Sequence, residues 1–285
     1  MKGSKIEWTD HTFNAWWGCI KVSPGCDNCY ADTLAKRWGH QVWGPGAPHR
    51  FFGDKHWAEP LGWNKEAERE QVRRRVFCAS MSDVFEDRRD LDVHRARLWL
   101  LIGVTPWLDW LLLTKRPQNV VRMVPWGTNW PANVWIGTTV ENDTWAQHRI
   151  PTLLKIPAAV RFLSCEPLID RIDLAPFLTQ RPTYLQYPID WVIAGGESGG
   201  HARVMNPDWA RLLRDQCVAA DVAFHFKQWG EYSPVAQLSK PSATHVVLQG
   251  TEGPILMERL GKKHAGRMLD GRTWDEFPKV SRWLV

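Results

Sequence analysis

Residues 191–198 read WVIAGGES, four apolar positions running without alternation into two glycines, a glutamate and a serine. A short apolar run bounded by turn residues is the signature of a strand buried on both faces, and a polar group directly after it marks the strand's C-terminal end. Working outward, the same signature recurs at Val76–Ser80, Trp110–Thr114, Val134–Thr138, Arg161–Ser164 and Ala223–Phe226. Between these runs lie helical patterns at Asp92–Ile102, Gln118–Val124, Thr144–Leu154 and Pro207–Ala219. Regular alternation of strand and helix implies parallel strands joined by crossover helices, either a (β/α) barrel, complete or partial, or an open doubly wound sheet. A further strand near Phe13–Trp17 brings the expected count to about seven.

The chain has 285 residues, 44% hydrophobic and 24% charged, which excludes global disorder, a collagen-like chain and a long coiled coil. The longest apolar stretch, Leu98 to Leu113, is interrupted by Gly103, Pro106 and Asp109 and falls short of the roughly 20 residues of a spanning helix. The N-terminus, MKGSKIEWTDHTF, lacks an apolar signal core, so the expectation is a cytoplasmic protein with no membrane partner. Six cysteines in a reducing compartment read as metal ligands or core residues rather than disulfide partners. Residues 39–63, dense in Gly, Pro, His and Trp, read as a long loop inserted into a domain spanning 1–229. Residues 230–285 read as a small C-terminal appendage.

The residues following each strand form a polar rim: Ser80 and Asp83, Thr114 and Lys115, Thr138 and Glu141, Ser164, Cys165 and Glu166, Gly195 to Ser198, and Lys227. In parallel α/β folds ligands bind at this end. Upstream lies the most informative motif, Gly18-Cys19 with Cys26, Cys29 and Tyr30, a C-x6-C-x2-C spacing. Cys78 and Cys217 fall in apolar patterns and read as core. Three thiolates suit a zinc site completed from elsewhere in the chain, with His11 and His40 the nearest histidines. They equally suit a [4Fe–4S] cluster with one iron left open. S-adenosylmethionine chelates such an iron, and electron transfer then breaks its carbon–sulfur bond to give a 5′-deoxyadenosyl radical.

The runs IEWTDHTFN, GCIKVSPGCDNCYA, TKRP, VWIGTTVEN, RFLSCEPL, WVIAGGESG, FKQWG and GRTWDEFP together resemble the phage Gp37/Gp68-like family, a domain of unknown function with a three-cysteine motif. That family resembles a divergent branch of the radical S-adenosylmethionine enzymes, whose usual motif is C-x3-C-x2-C. The resemblance implies a partial (β/α)6-type, TIM-like barrel with a [4Fe–4S] cluster held by Cys19, Cys26 and Cys29, and S-adenosylmethionine as cofactor. It also implies an electron donor such as a flavodoxin or ferredoxin, and a phage-infected or prophage-bearing host cell. Three departures stand out: the first cysteine spacing is six, Asn28 sits where the usual motif has an apolar or aromatic residue, and the GGE element at Gly195, Gly196 and Glu197 follows the sixth strand rather than the second.

On this reading Ser80 and Asp83 meet the cofactor's amino group, and Lys115 and Lys227 its carboxylate or a substrate phosphate. Glu141 and Glu166 meet ribose or substrate, and the Tyr30 ring meets adenine. Thr114, Thr138, Ser164 and Ser198 are further cofactor contacts, and Cys165 is placed to quench or donate to a radical. The alternative for each buried carboxylate is an ion pair with Lys115, Arg116 or Arg161. A net charge of +5, 19 tryptophans and basic loops such as His49-Arg50-Phe51-Phe52 and Lys262-Lys263-His264 favour a nucleic acid or nucleotide substrate. Trp107, Trp110, Trp135 and Trp191 are expected in the core, while Trp16, Trp17, Trp43, Trp57, Trp126, Trp130 and Trp229 are expected to stack from loops. The outcomes considered are modification of a nucleobase, lyase repair of a DNA lesion, and a zinc-stapled nucleic-acid-binding protein without catalysis.

Overall fold

The computed structural model describes residues 2–179, 187–238, 240 and 244–279. The chain divides into two compact units, one built from residues 1–138 and 152–161, the other from 139–151 and 162–279.

The first unit contains β1 (His11–Thr12), β2 (Trp16–Trp17), α1 (Tyr30–Arg37), β3 (Arg50–Phe51), α2 (Asp54–Glu70), β4 (Arg74–Cys78), α3 (Asp92–Gly103), β5 (Leu108–Thr114), α4 (Pro117–Met123) and β6 (Val134–Thr139). Strands β1, β4, β5 and β6 pair side by side in that order, all parallel; Val76 lies opposite both His11 and Trp110, and Trp110 opposite Val134. β5 is buried along nearly its whole length and β6 at every residue, which is why both read as unbroken apolar runs. The strand expected near Phe13–Trp17 is displaced. His11–Thr12 joins the parallel set, whereas Trp16–Trp17 pairs antiparallel with Arg50–Phe51 in a separate ribbon.

The stretch expected as a loop over 39–63 becomes helical at Asp54. Pro60 and Gly62 read as breakers in sequence, yet Trp57, Pro60, Trp63, Asn64 and Ala67 recur at helical spacing and are buried together. Packing of two indoles outweighs the missing N–H of Pro60 and the roughly 1 kcal/mol propensity cost of Gly62.

The second unit contains most of α5 (Asp143–Leu153) and β7 (Val160–Cys165), followed by α6 (Ala175–Leu178), β8 (Trp191–Gly195), α7 (Pro207–Ala219) and β9 (Ala223–Gln228). Strands β7, β8 and β9 are parallel neighbours, with an irregularity between Ala194 and Gly195. α7 starts where the sequence places it: the Asn206 side chain accepts the Asp208 N–H, Pro207 occupies the first turn, and Pro207, Ala210, Leu213 and Cys217 form its buried stripe. Among the described residues seven parallel strands, four in the first unit and three in the second, give the α/β fold of partial TIM-like barrel type.

The C-terminal appendage is a three-stranded antiparallel sheet of β10 (Tyr232–Pro234), β11 (Val246–Gly250) and β12 (Gly253–Arg259), with β12 in the middle, followed by α8 (Lys262–Ala265). Residues 239, 241–243 and 280–285 of the appendage lie outside the described residues. The segment after α8 returns to β9, where Phe226 N–H donates to the Trp274 carbonyl and Glu276 N–H to the Phe224 carbonyl. That return covers the backbone edge of β9. No described helix is long and apolar enough to cross a membrane.

Candidate functional site

The cysteine segment belongs to the first unit. Gly18 leads into it at φ +126, and a side-chain carbon there would lie 2.6 Å from the Val42 carbonyl oxygen and 2.9 Å from the His49 ring, so only glycine lets the loop pass. Gly18 N–H donates to the Met81 carbonyl, and Gly44 N–H to the Cys19 carbonyl. Pro24–Cys26 forms a tight turn, and Cys29 caps the start of α1. Ala31 and Ala35 on the inner face of α1 pack on Val42 and Met81, with Cys29, Trp17 and Trp43 alongside. Cys19, Cys26 and Cys29 are half-buried free thiols.

Two cationic features face these thiols. Arg116, itself buried, directs Nη1 at Cys19 Sγ (3.7 Å) and at Asp83 Oδ2 (2.9 Å), while Nη2 donates to the Ile20 carbonyl at 2.7 Å. Burial pushes the Cys19 thiol up to about 12, helped by the Asp83 carboxylate and opposed by Arg116. Burial also raises the Cys29 thiol, while the Asp32 and Ala31 N–H groups at the start of α1 and the Lys115 ammonium pull it back. Both shifts favour the protonated thiols of Cys19 and Cys29.

Asp83 is fully engaged by the protein. Oδ1 accepts from Phe85 N–H and the Thr114 hydroxyl, and Oδ2 accepts from Lys115 N–H and Arg116. It fixes the guanidinium that meets Cys19. The Thr114 hydroxyl also accepts the Arg116 N–H, and the Thr138 hydroxyl donates to the Thr114 carbonyl. Tyr30, 53% exposed, donates its hydroxyl to the Ser80 carbonyl at 2.8 Å, and Asn14 Nδ2 donates to Ser80 Oγ. Tyr30 and Ser80 are thus brought together beside Cys29. A buried pair, His49 Nε2 and Glu86 Oε2 at 3.2 Å, lies against the same loop and was not singled out from sequence. His49 sits in a basic, aromatic run, and only the fold reveals Glu86 as its partner.

In the second unit a separate polar group gathers at the ends of its strands. Both Glu166 oxygens accept from Lys227 Nζ, at 2.7 and 2.8 Å. Gln228 Nε2 bridges Glu166 Oε1 and Ser198 Oγ. The Gly-rich element is held from within the unit: Glu197 accepts the Arg203 N–H, Nε and Nη2, Glu231 accepts the Gly199 N–H, and Arg259 donates to the Gly199 and Gly200 carbonyls. Glu141 is wholly buried with Arg149 Nη1 at 2.8 Å. Ser164 and Cys165 are also buried, and burial pushes the Cys165 thiol well up. The carboxylates are therefore ion-paired: Arg116 is one of the partners expected from sequence, whereas Arg149 and Lys227 are not. Arg149 and Lys227 take Glu141 and Glu166, Arg116 takes Asp83, and Arg161 donates to the Ile156 and Ala158 carbonyls.

A family model described as a protein of unknown function, DUF5131, matches residues 3–278. The chain belongs to the DUF5131 family. No curated protein matches it. Among solved structures, a spore photoproduct lyase mutant aligns with TM-score 0.49 and 14% identity, covering 91% of this chain and 71% of that one. Spore photoproduct lyase complexed with dinucleoside spore photoproduct gives TM-score 0.49, 14% identity and coverages of 90% and 71%. A mutant with bound AdoMet and dinucleoside spore photoproduct gives 0.48, 13%, 90% and 70%.

Among the described residues of this DUF5131 chain, no group of three or more His, Cys, Asp or Glu side chains converges on one metal ion. The donor set suits a cluster in its chemistry: three free thiols, with a guanidinium on one and helix N-terminal amides on another. The aromatic inventory is corrected in part. Trp110, Trp135 and Trp191 are core as expected, with Trp107 half-buried, but Trp16, Trp57 and Trp229, expected in loops, are buried too. Trp229 turns inward because its indole N–H donates to the Met268 carbonyl at 2.7 Å. Trp17 stacks on Trp38 and carries the Arg50 guanidinium over its ring at 4.5 Å, so that basic loop is occupied by its own rings.

Proposed function

We propose that this DUF5131 chain is a radical S-adenosylmethionine enzyme acting on a nucleobase or nucleotide. The observation that carries the reading is the 18–30 segment, where three free thiols share one loop, Cys19 lies under the Arg116 guanidinium, and Cys29 lies at the start of α1. Cys19, Cys26 and Cys29 would hold three irons of a [4Fe–4S] cluster. Such a cluster would supply the electron for reductive cleavage of S-adenosylmethionine and so a radical able to abstract hydrogen. Asp83 holds Arg116 in place, so the chain keeps a fixed positive donor on the Cys19 sulfur. Lys115 and Ser80 are assigned to the cofactor's polar end, with the Tyr30 ring against its adenine. In the second unit, Glu166, Ser198, Lys227 and Gln228 offer a carboxylate, a hydroxyl, an ammonium and an amide to a polar ligand. Substrate choice rests on the net charge of +5, which favours an anionic partner. The electron is assigned to a flavodoxin- or ferredoxin-type donor.

Purification without oxygen, followed by iron, sulfide and zinc analysis, tests the assignment. About four irons per chain, and a reduced-cluster spectrum altered by S-adenosylmethionine, are expected. Cys19→Ala, Cys26→Ala and Cys29→Ala each lose the iron, while Cys78→Ala, in the buried core, keeps it. One zinc and no iron after anaerobic reconstitution would replace the reading with a metal-stapled protein. Release of 5′-deoxyadenosine that rises with added DNA or nucleotide identifies the substrate class.

A further inference from the structure

A cavity of about 770 Å³ lies in the first unit. Four arginines line it, Arg88, Arg89, Arg95 and Arg122, with Trp99 at its floor. The only acidic side chains in the lining are Asp87 and Asp92, which leaves an excess of two positive charges.

The arginines divide into a fixed frame, Arg95 and Arg88, and two exposed residues, Arg122 and Arg89, that are less firmly held. Arg95 is buried and donates to the Val84, Glu86 and Arg88 carbonyls and to Asp92, so it holds the loop after β4 in shape. Arg88 is tied to Asp90 and the Ala47 carbonyl. Arg122, in contrast, meets only Asn119 and the exposed Asp87, a solvated pair that an incoming anion can displace at little cost. Arg89 is exposed and has no partner among the described residues. Two guanidiniums at one mouth match the fork geometry of phosphate oxygens. Aromatic surface adjoins them: Trp99 meets Trp126 at 5.2 Å, Trp126 meets Trp130 at 5.0 Å, and both outer rings are half-buried. Cations beside a partly open indole pair form the arrangement that tracks a backbone and stacks its bases.

We propose that this pocket is a phosphate-binding subsite for a nucleic-acid strand, with Arg89 and Arg122 on the phosphodiester and Trp126 and Trp130 against the adjoining bases. The choice of a strand rests on the substrate reading above; the pocket's geometry does not. Binding is measurable on the metal-free chain, so a failure here is separable from a failure of the iron assignment.

The test is fluorescence anisotropy of a labelled single-stranded oligonucleotide of about 12 nucleotides, titrated with the full chain at several salt concentrations. Arg89→Ala with Arg122→Ala is expected to weaken binding at least about tenfold and to reduce the salt slope by about 1.4, two phosphate contacts at about 0.7 each. Trp130→Leu is expected to weaken binding by about tenfold with the slope unchanged. Arg69→Ala, an exposed arginine on α2, serves as the control and leaves both values as they are. The Arg89→Ala single variant removes no protein contact, so its fold is retained and its loss of affinity reads the site directly. Equal affinity and slope in the double variant would overturn the proposal. So would a mononucleotide that binds as tightly as the oligonucleotide, since a lone phosphate would then account for the pocket.

Discussion

The carbonyl oxygen of Trp229 stands 1.9 Å from the point where a side-chain carbon at Gly196 would lie. The two backbones run that close because Gly196 N–H donates to the Gln228 carbonyl as β8 and β9 end together. Gly230 makes the reciprocal approach, its absent side chain 2.2 Å from the Glu197 carbonyl oxygen at φ +85. The Gly-rich run thus serves chain-on-chain packing at these positions. Gly196→Ala must separate the strand ends and is expected to cost about 1–3 kcal/mol or more, read by urea unfolding. Gly200→Ala, with open space around its backbone, should lie within about 0.5 kcal/mol of wild type. Similar costs for the two would remove the packing account.

Arg116 and Asp83 form a buried pair whose remaining donor meets Cys19 Sγ. Arg116→Gln leaves the Asp83 carboxylate without its counter-charge and is expected to cost about 3–5 kcal/mol. If Cys19 ligates the proposed cluster, the variant should also move its midpoint potential in the negative direction, because a positive hydrogen-bond donor on a ligating sulfur favours the reduced state. An unchanged potential in a redox titration would show that the guanidinium acts only on the fold.

Glu141 and Arg149 are enclosed together, with the guanidinium also lying over the Trp145 ring at 4.1 Å. Glu141→Gln should lower stability by about 3–5 kcal/mol through an uncompensated buried cation. Glu166→Gln, where the pair with Lys227 is less enclosed, should cost less, about 1–2 kcal/mol. The contrast separates a structural carboxylate from one positioned to meet a ligand, and thermal unfolding reads both.

Asp270 links the C-terminal segment to α7. Burial works to raise its carboxyl, but Arg211 and Arg214 outweigh that and hold it below its ordinary value of 3.8. A carboxylate depressed in the folded state contributes stability above its unfolded pKa and loses it as pH falls through the folded pKa. Asp270→Asn retains a residue tolerant of the observed φ of +53 and is expected to cost about 0.5–1 kcal/mol near neutrality, allowing for solvent screening. That cost should shrink as pH falls below 3.8 in a series of unfolding curves.

The strands and the cysteine loop were legible because their signals are local. Apolar runs such as Trp191–Gly195 carry burial in their composition, and the close spacing of Cys19, Cys26 and Cys29 places three thiols in one short segment. α2 was hidden because Pro60 and Gly62 signal a break locally, while the burial of Trp57 and Trp63 that overrides them depends on distant chain. Partner choice was hidden for the same reason. Asp83 meets Arg116, Glu141 meets Arg149 and Glu166 meets Lys227 across strand ends, and residue type alone names a charge without naming what faces it. Sequence by itself determined the parallel α/β class and the three-thiol loop, since periodicity and spacing are properties of neighbouring residues. Tertiary structure alone decided which carboxylates are enclosed in ion pairs, why Gly196 has no side chain, and where four arginines surround one cavity, because each depends on atoms brought together from separated parts of the chain.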